Sequence, residues 1–226
     1  MTKPSMETKS KYLVISAGEA ISQWINKEQN LIQKLKSSET MTLDDLKKWL
    51  AYWMLARGNP VNQRDDLLKS INEFLRPSIL SFSDDELPKQ IYSMAKHLKR
   101  LSGTKSIQTS LVSKFAFCIR PELIVPIDQR ARQGLALMYG KRIDAHDYES
   151  YFKSFLLLKR KTAAEMQRSN LLNDLKPYWN KHMSEDLFLS RAADKFLMLE
   201  GGFNVKSMEK NVKEHFGNDW IGKFQQ

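Results

Sequence analysis

The chain has 226 residues, of which 42% are apolar, so it can bury a sizeable core and is not intrinsically disordered. Lys and Arg number 36 against 26 Asp and Glu, and this net charge of +10 indicates either a polyanionic partner such as nucleic acid or a solvated basic surface. The single cysteine, Cys118, excludes an internal disulfide and a cysteine-rich metal site.

The chain carries no pattern that predicts export or a bound ion. Its first residues lack a continuous apolar region of signal-peptide type, and no run reaches the roughly 18 apolar residues of a membrane span. The histidines, His97, His146, His182 and His215, lack metal-ligand spacing. We therefore expect no membrane contact, a place in the bacterial or general cytoplasm, and neither a metal nor another cofactor. We also expect a monomer.

The spacing of apolar residues predicts helices throughout the chain, and strand alternation is nowhere sustained, so the expected class is all-α. The expected helices cover residues 11–36, 46–56, 64–75, 87–101, 107–119, 128–139, 147–160, 163–182 and 185–199, followed by short helices. No repeat or long linker is visible, so we expect one unit over 1–226.

Several residues predict where these helices begin. Thr42 with Asp45, and Ser83 with Glu86, resemble capping boxes, and Pro88 is tolerated only in a first turn.

Other residues predict where helices end. Pro77 is expected to stop the third helix, Gly140 to end the helix that begins at Asp128, and Pro177 to bend or divide the helix over 163–182.

A helix, a turn containing glycine and a second helix are expected over residues 98–119. The turn, LSGTKS, can direct backbone N–H groups at one phosphate, helped by the N-terminus of the following helix. The same sequence also suits an ordinary turn.

Asp128 follows the apolar segment IVPI and precedes QRARQGL, at the expected start of a helix. The helix N-terminus can hold its carboxylate ionised. Such a carboxylate can stabilise an oxocarbenium-like transition state or orient water, although it can equally be a simple helix cap.

These segments together resemble a known family. The order L-S-G-T-K, an apolar helix, then I-V-P-I-D is similar to the helix-hairpin-helix DNA glycosylases, in particular the 8-oxoguanine glycosylase branch, with its G-x-G-T-K and V-P-V-D segments. The run SLVSKFAFCIRPELIVPIDQRARQGL also resembles bacterial 8-oxoguanine-glycosylase-like proteins. The resemblance covers residues 98–137.

The resemblance implies two helical lobes flanking a cleft for DNA and an extruded base. The expected lobes are 1–40 with 141–226, and 41–140, which contains the helix-hairpin-helix and Asp128. The implied activity is hydrolysis of an N-glycosidic bond to leave an abasic site, with either an oxidised purine or a hypermodified phage cytosine as substrate. The alternative is a non-catalytic helical protein that grips DNA phosphate with the hairpin.

Three candidates remain for the group that attacks the anomeric carbon. A lysine nucleophile has the G-T-K context at Lys105, 23 residues before Asp128, and the S-K context at Lys114, 14 residues before it. A nucleophilic lysine must be neutral, which favours the more apolar surroundings of Lys114. In the third case Asp128 directs water, and the enzyme is monofunctional.

An extruded base needs an aromatic or apolar wall and hydrogen bonds. The segment WLAYWMLARGN supplies candidates for this role, or alternatively for the core: Trp49, Trp53, Arg57 and Asn59. The candidate DNA-backbone contacts are Ser102, Gly103, Thr104 and Lys105 of the hairpin, with Lys99, Arg100, Arg130 and Arg132.

Overall fold

The computed structural model describes residues 6–59 and 61–224, with side chains from residue 10 onward. These residues contain helices and no strands, so the predicted all-α class is confirmed for them. The α-helices are α1 Met6–Gln23, α2 Gln29–Ser37, α3 Leu43–Tyr52, α4 Arg64–Ser70, α5 Arg76–Ser81, α6 Leu87–Ser102, α7 Thr109–Ile119, α8 Gln129–Tyr139, α9 Tyr148–Arg168, α10 Leu171–Trp179, α11 Glu185–Glu200, α12 Val205–Phe216 and α13 Trp220–Lys223.

The chain divides into two compact units. Unit 1 takes its described residues from 1–29, 129–143 and 153–226, and unit 2 takes residues 30–128 and 144–152. Helix α8 thus belongs to unit 1, whereas the sequence predicted that it lies in the lobe of the hairpin. Helix α9 contributes its first residues to unit 2 and the remainder to unit 1.

Pro77 does not stop the third helix, contrary to the prediction. A π-helical turn, Ile71–Leu75, connects α4 to α5, and α5 continues through Pro77 to Ser81. The N–H of Arg76 bonds to the carbonyl of Ile71, five residues back. This wider turn relieves the clash between a proline ring and the carbonyl four residues before it, which is what normally breaks a helix.

The capping signals describe local structure well. Thr42 and Asp45 form the predicted capping box at the start of α3. An ion pair with Lys34, followed by the hydroxyl of Thr42, lowers the pKa of the Asp45 carboxyl. The N–H and O–H of Ser83 both donate to the Glu86 carboxylate, although α6 begins only after Glu86.

The expected boundary near residue 161 is wrong, because α9 runs unbroken to Arg168. Its buried side chains recur at helical spacing through the expected break, which gives this helix a continuous face to bury: Phe155, Leu158, Thr162 and Met166. The break comes instead at Asn170, whose φ of 56° is left-handed. Pro177 lies inside α10, which ends at Trp179.

Helices α1, α8 and α11 form the core of unit 1. Helix α11 packs against both α1 and α8. Gly134 on α8 permits the second contact, because a Cβ atom there would collide with the backbone carbonyl of Leu197.

A buried charge network ties α11 to the π-helical turn Trp24–Glu28 that joins α1 to α2. Arg191 pairs with Glu28 and also, at 2.8 Å, with Asp194. The ammonium of Lys195 lies 3.8 Å from Asp194, and burial lowers the pKa of this lysine. Buried charges of opposite sign therefore compensate one another inside unit 1.

Candidate functional site

The segment that leads to Asp128 lies in unit 2, where residues 124–128 have no helical structure. Two tyrosines of α9 hold it. The hydroxyl of Tyr148 donates to the carbonyl of Val125 at 2.8 Å and accepts from its N–H at 3.2 Å. The hydroxyl of Tyr151 donates to the carbonyl of Pro126 at 3.0 Å. Burial raises the pKa of Tyr148, so its hydroxyl keeps the proton that this bonding needs.

A third contact ties the same segment to α7. The backbone N–H of Ile127 donates to Ser113 Oγ at 3.1 Å, inside the core. Lys114 follows Ser113 on α7, and Asp128 follows Ile127. This hydrogen bond therefore joins the two stretches of backbone that carry the candidate catalytic residues, whose separation in the sequence left their proximity open.

Lys114 is buried, with 7% of its surface exposed. Its ammonium donates to the backbone carbonyl of Trp53 at 3.2 Å and lies 5.6 Å from the centre of a Trp53 ring. Trp53 directly follows α3, so the ammonium lies at the carbonyl end of that helix. Both the helix dipole and the aromatic face stabilise a positive charge there.

Asp128 is half-buried and immediately precedes α8, the position at which first-turn N–H groups stabilise a carboxylate. The predicted place of Asp128 at this helix start is thus correct to one residue, and Gly140 ends the helix with a left-handed φ of 67°.

The four candidate base-binding residues differ in accessibility. Trp49 is fully buried and packs edge-on against Phe115, so it is a core residue in this conformation. Trp53 is half-buried beside Lys114, and Arg57 is exposed.

Asn59 is also buried, and its bonds are internal. It exchanges two side-chain hydrogen bonds with Gln108, at 3.1 and 3.0 Å, and donates to the carbonyl of Leu55 at 2.9 Å. Asn59 therefore braces the loop after α3 against the start of α7.

The hairpin consists of α6, a turn beginning at Gly103, and α7. Gly103 has φ 64° and ends α6 in the left-handed conformation. Ser102 and Thr104 are buried, and Ser102 donates to the carbonyl of Leu98 at 2.7 Å, so both brace the turn from inside. Gly103 and Lys105 are exposed on its surface.

The predicted basic contacts fall in both units. Lys99 and Arg100 lie in the last turn of α6, beside the hairpin. Arg130 and Arg132 lie in unit 1, where Arg130 donates to the carbonyl of Gly202 at 2.6 Å and Arg132 to that of Ile143 at 3.1 Å. Both of these arginines therefore make bonds within their own unit.

Local sequence patterns do not predict the roles of Ser113, Gln108, Tyr148 and Tyr151, because each acts through a partner distant in the chain. A weak signal existed for the tyrosines, whose spacing of three places both on one helical face. Met54 has an unusual backbone conformation that the sequence did not indicate. It follows Trp53, has a left-handed φ of 53° and is 82% exposed.

Within residues 6–59 and 61–224, no helix is long and apolar enough to cross a membrane. Across the same residues, no three His, Cys, Asp or Glu side chains are grouped as metal ligands.

A scan against protein-family models found no matching family, and neither the curated proteins nor the solved structures gave a match. Function is therefore inferred from the residues and geometry of unit 2.

Proposed function

We propose that the protein is a DNA glycosylase, which extrudes a modified base from DNA and hydrolyses its N-glycosidic bond to leave an abasic site. The observation that carries the proposal is the hydrogen bond between Ser113 and Ile127, at 3.1 Å. It joins the backbone next to Lys114 to the backbone next to Asp128 in unit 2, and the ammonium of Lys114 lies against the half-buried Trp53. The resemblance of residues 98–137 supplies the reaction class.

Asp128 acts on the sugar. Cleavage of an N-glycosidic bond develops positive charge at the anomeric carbon, and a carboxylate fixed at a helix N-terminus can stabilise that charge or orient the attacking water. The tyrosine and serine contacts to residues 125–127 hold the preceding backbone, so the position of the carboxylate depends on groups from α7 and α9.

Lys114 contributes as a cation, and water is the attacking group. Its ammonium donates to the carbonyl oxygen of Trp53 and lies beside the Trp53 ring, and these contacts favour the charged form against the desolvation that burial imposes. A nucleophilic lysine would have to be neutral. Lys105, exposed in the turn after α6, suits contact with a phosphate instead. The geometry thus favours the monofunctional reaction.

The hairpin and the last turn of α6 contact the DNA backbone. Gly103 and Lys105 are exposed in the turn, with Lys99 and Arg100 in the helix before it. Trp53 can provide part of the wall for the extruded base. The substrate is an oxidised purine or a hypermodified phage cytosine, and both belong in the test.

The test is formation of abasic sites by the purified chain. Its substrates are an 8-oxoguanine duplex and genomic DNA from unmodified and hypermodified phages. We expect base release from one modified substrate, with loss of most activity in Asp128→Asn and Asp128→Ala. Asp65→Asn is the control, because Asp65 is an exposed acid in the first turn of α4.

Full base release by both Asp128 variants would refute the assignment. Salt-sensitive DNA binding without base release from any of these substrates would instead support the non-catalytic alternative.

A further inference from the structure

The net positive charge lies almost entirely in unit 1. Among the described residues, unit 1 contains 20 Lys and Arg against 12 Asp and Glu, whereas unit 2 contains 15 against 14. Eight of the nine net charges of the described residues are therefore in the unit that contains neither the hairpin nor Asp128. If DNA bound only to the hairpin in unit 2, the positive charge of unit 1 would not contribute to binding.

Two segments concentrate the charge. Residues 129–143 and 153–161 contain eight Lys and Arg and no Asp or Glu. On α9, the buried side chains of Phe155 and Leu158 face the core. The exposed residues Lys153, Leu157, Arg160 and Lys161 recur at helical spacing on the opposite face.

The end of α8 completes this surface. Leu137, Met138 and Tyr139 are exposed there, and Lys141 and Arg142 follow directly and are exposed too. The ammonium of Lys161 lies 4.9 Å from the centre of the Tyr139 ring, so the end of α8 and the face of α9 are contiguous. We call this the α8–α9 surface, defined by Tyr139, Lys141, Arg142, Leu157, Arg160 and Lys161.

We propose that the α8–α9 surface binds the sugar-phosphate backbone of DNA, as a second contact separate from the hairpin. Lysine and arginine side chains neutralise phosphates and release counterions, which supplies most sequence-independent affinity. Arginine adds a planar guanidinium that bonds two phosphate oxygens at once. The exposed ring of Tyr139 can stack on a sugar or an unpaired base, as aromatic residues do within basic grooves.

An anionic lipid surface is the other polyanion to consider, and it fits less well. A helix that lies on a bilayer inserts a broad apolar face. The apolar face of α9 is buried in the protein, and the exposed Leu157 stands among cations. Leu137 and Met138 are also exposed at the end of α8, so apolar side chains accompany the cations there, but they belong to a helix end and not to the broad apolar face of a helix that lies on a bilayer.

The test compares DNA binding by the full chain with that of a quadruple variant, Lys141→Gln, Arg142→Gln, Arg160→Gln and Lys161→Gln. The probe is an unmodified fluorescent DNA duplex, titrated over a series of salt concentrations. Each phosphate contact adds about 0.9 to the slope of log affinity against log salt, so losing four contacts makes the slope shallower by roughly 3 to 4. The affinity at about 100 mM salt is expected to fall at least ~10-fold.

The control removes the same charge from four other exposed lysines of unit 1, by Lys176→Gln, Lys181→Gln, Lys206→Gln and Lys213→Gln. This control is expected to lose much less affinity. An equal loss in both variants, or an unchanged slope in the α8–α9 variant, would overturn the proposal. Tighter binding to vesicles of anionic lipid than to DNA would overturn it too.

Circular dichroism checks that each variant is folded. If the quadruple variant is not, the double variant Arg160→Gln and Lys161→Gln should show about half of the change in slope.

The inference does not rest on base release. If the wild type releases no base but the α8–α9 variant loses salt-dependent DNA binding, the surface is supported and the glycosylase is refuted. If the wild type releases a base and the α8–α9 variant binds DNA normally, the glycosylase is supported and the surface is refuted.

Discussion

The backbone N–H of Ile127 donates its hydrogen bond to the hydroxyl of Ser113, 14 residues earlier, at a distance of 3.1 Å inside the core of unit 2. The residues that follow these two, Asp128 and Lys114, are the strongest candidates for catalysis. One hydroxyl therefore links the end of an irregular segment to a buried helix.

Ser113→Ala leaves the N–H of Ile127 buried without this acceptor, and a buried unsatisfied group costs about 1 to 3 kcal/mol. We expect the free energy of unfolding to fall by that amount in urea titrations. If base release is present, its rate should fall as well, because the backbone before Asp128 loses a support. Ser93→Ala, an exposed residue of α6, serves as the control. Wild-type stability in Ser113→Ala would contradict the prediction.

Tyr148 gives a prediction about alkaline pH. Burial raises the pKa of its hydroxyl in the folded protein above the unfolded value of about 10. The unfolded chain therefore releases this proton first as the pH rises. The contribution of Tyr148 to stability is complete below about pH 10 and is lost progressively above it.

The comparison that isolates this effect is between the wild type and Tyr148→Phe. Urea unfolding at several pH values between about 8 and 11 should show a steeper alkaline loss in the wild type, because only the wild type carries this titrating group. Tyr139→Phe, which changes an exposed tyrosine, should keep the wild-type slope. Parallel pH profiles for the wild type and Tyr148→Phe would refute the argument.

Lys114 and Lys105 are distinguished by trapping with borohydride, which reduces a Schiff base between a lysine and an abasic sugar to a stable bond. Because the ammonium of Lys114 lies against the carbonyl of Trp53, we expect no trapped complex and an intact abasic strand. A complex that disappears in Lys114→Gln but persists in Lys105→Gln would show instead that Lys114 is the nucleophile.

Arg191 tests the buried network of unit 1. Arg191→Met leaves the carboxylates of Glu28 and Asp194 without their arginine partner, and breaking a buried ion pair in this way costs about 3 to 5 kcal/mol. Thermal or urea unfolding measures the loss. Lys48→Met removes one partner of an exposed pair with Asp44 and should leave stability unchanged within error. Similar behaviour of the two variants would mean that the network does not support the fold.

The sequence predicts best those features that depend on neighbours in the chain. Thr42 and Asp45 form their capping box because both partners lie within one turn. Gly140 ends α8 because a left-handed residue is needed there. The prediction that Pro77 stops the third helix is wrong, because the π-helical turn before it lets the helix continue through the proline.

Other features of the candidate site could not be read from local patterns. Trp49 and Trp53 are the same residue type four positions apart, yet Trp49, inside α3, is fully buried, whereas Trp53, which follows α3, is half-buried beside Lys114. The sequence predicts that Asn59 contacts a base, whereas its side chain is hydrogen-bonded to Gln108 in the structure. These outcomes depend on which face of α3 and of the loop after it packs against α7.

The sequence by itself determined the helical class and the excess of positive charge, because composition and the spacing of apolar residues suffice for these. It also determined that the acid after IVPI lies at the start of a helix, because short-range sterics around the proline suffice for that. Only the tertiary structure decided what holds that segment. Tyr148 and Tyr151 arrive from α9 and Ser113 from α7, and their hydrogen bonds form because buried backbone groups must find partners wherever the packing brings them. The tertiary structure likewise assigned nearly all of the net charge to unit 1, since unit membership depends on contacts between residues far apart in the chain.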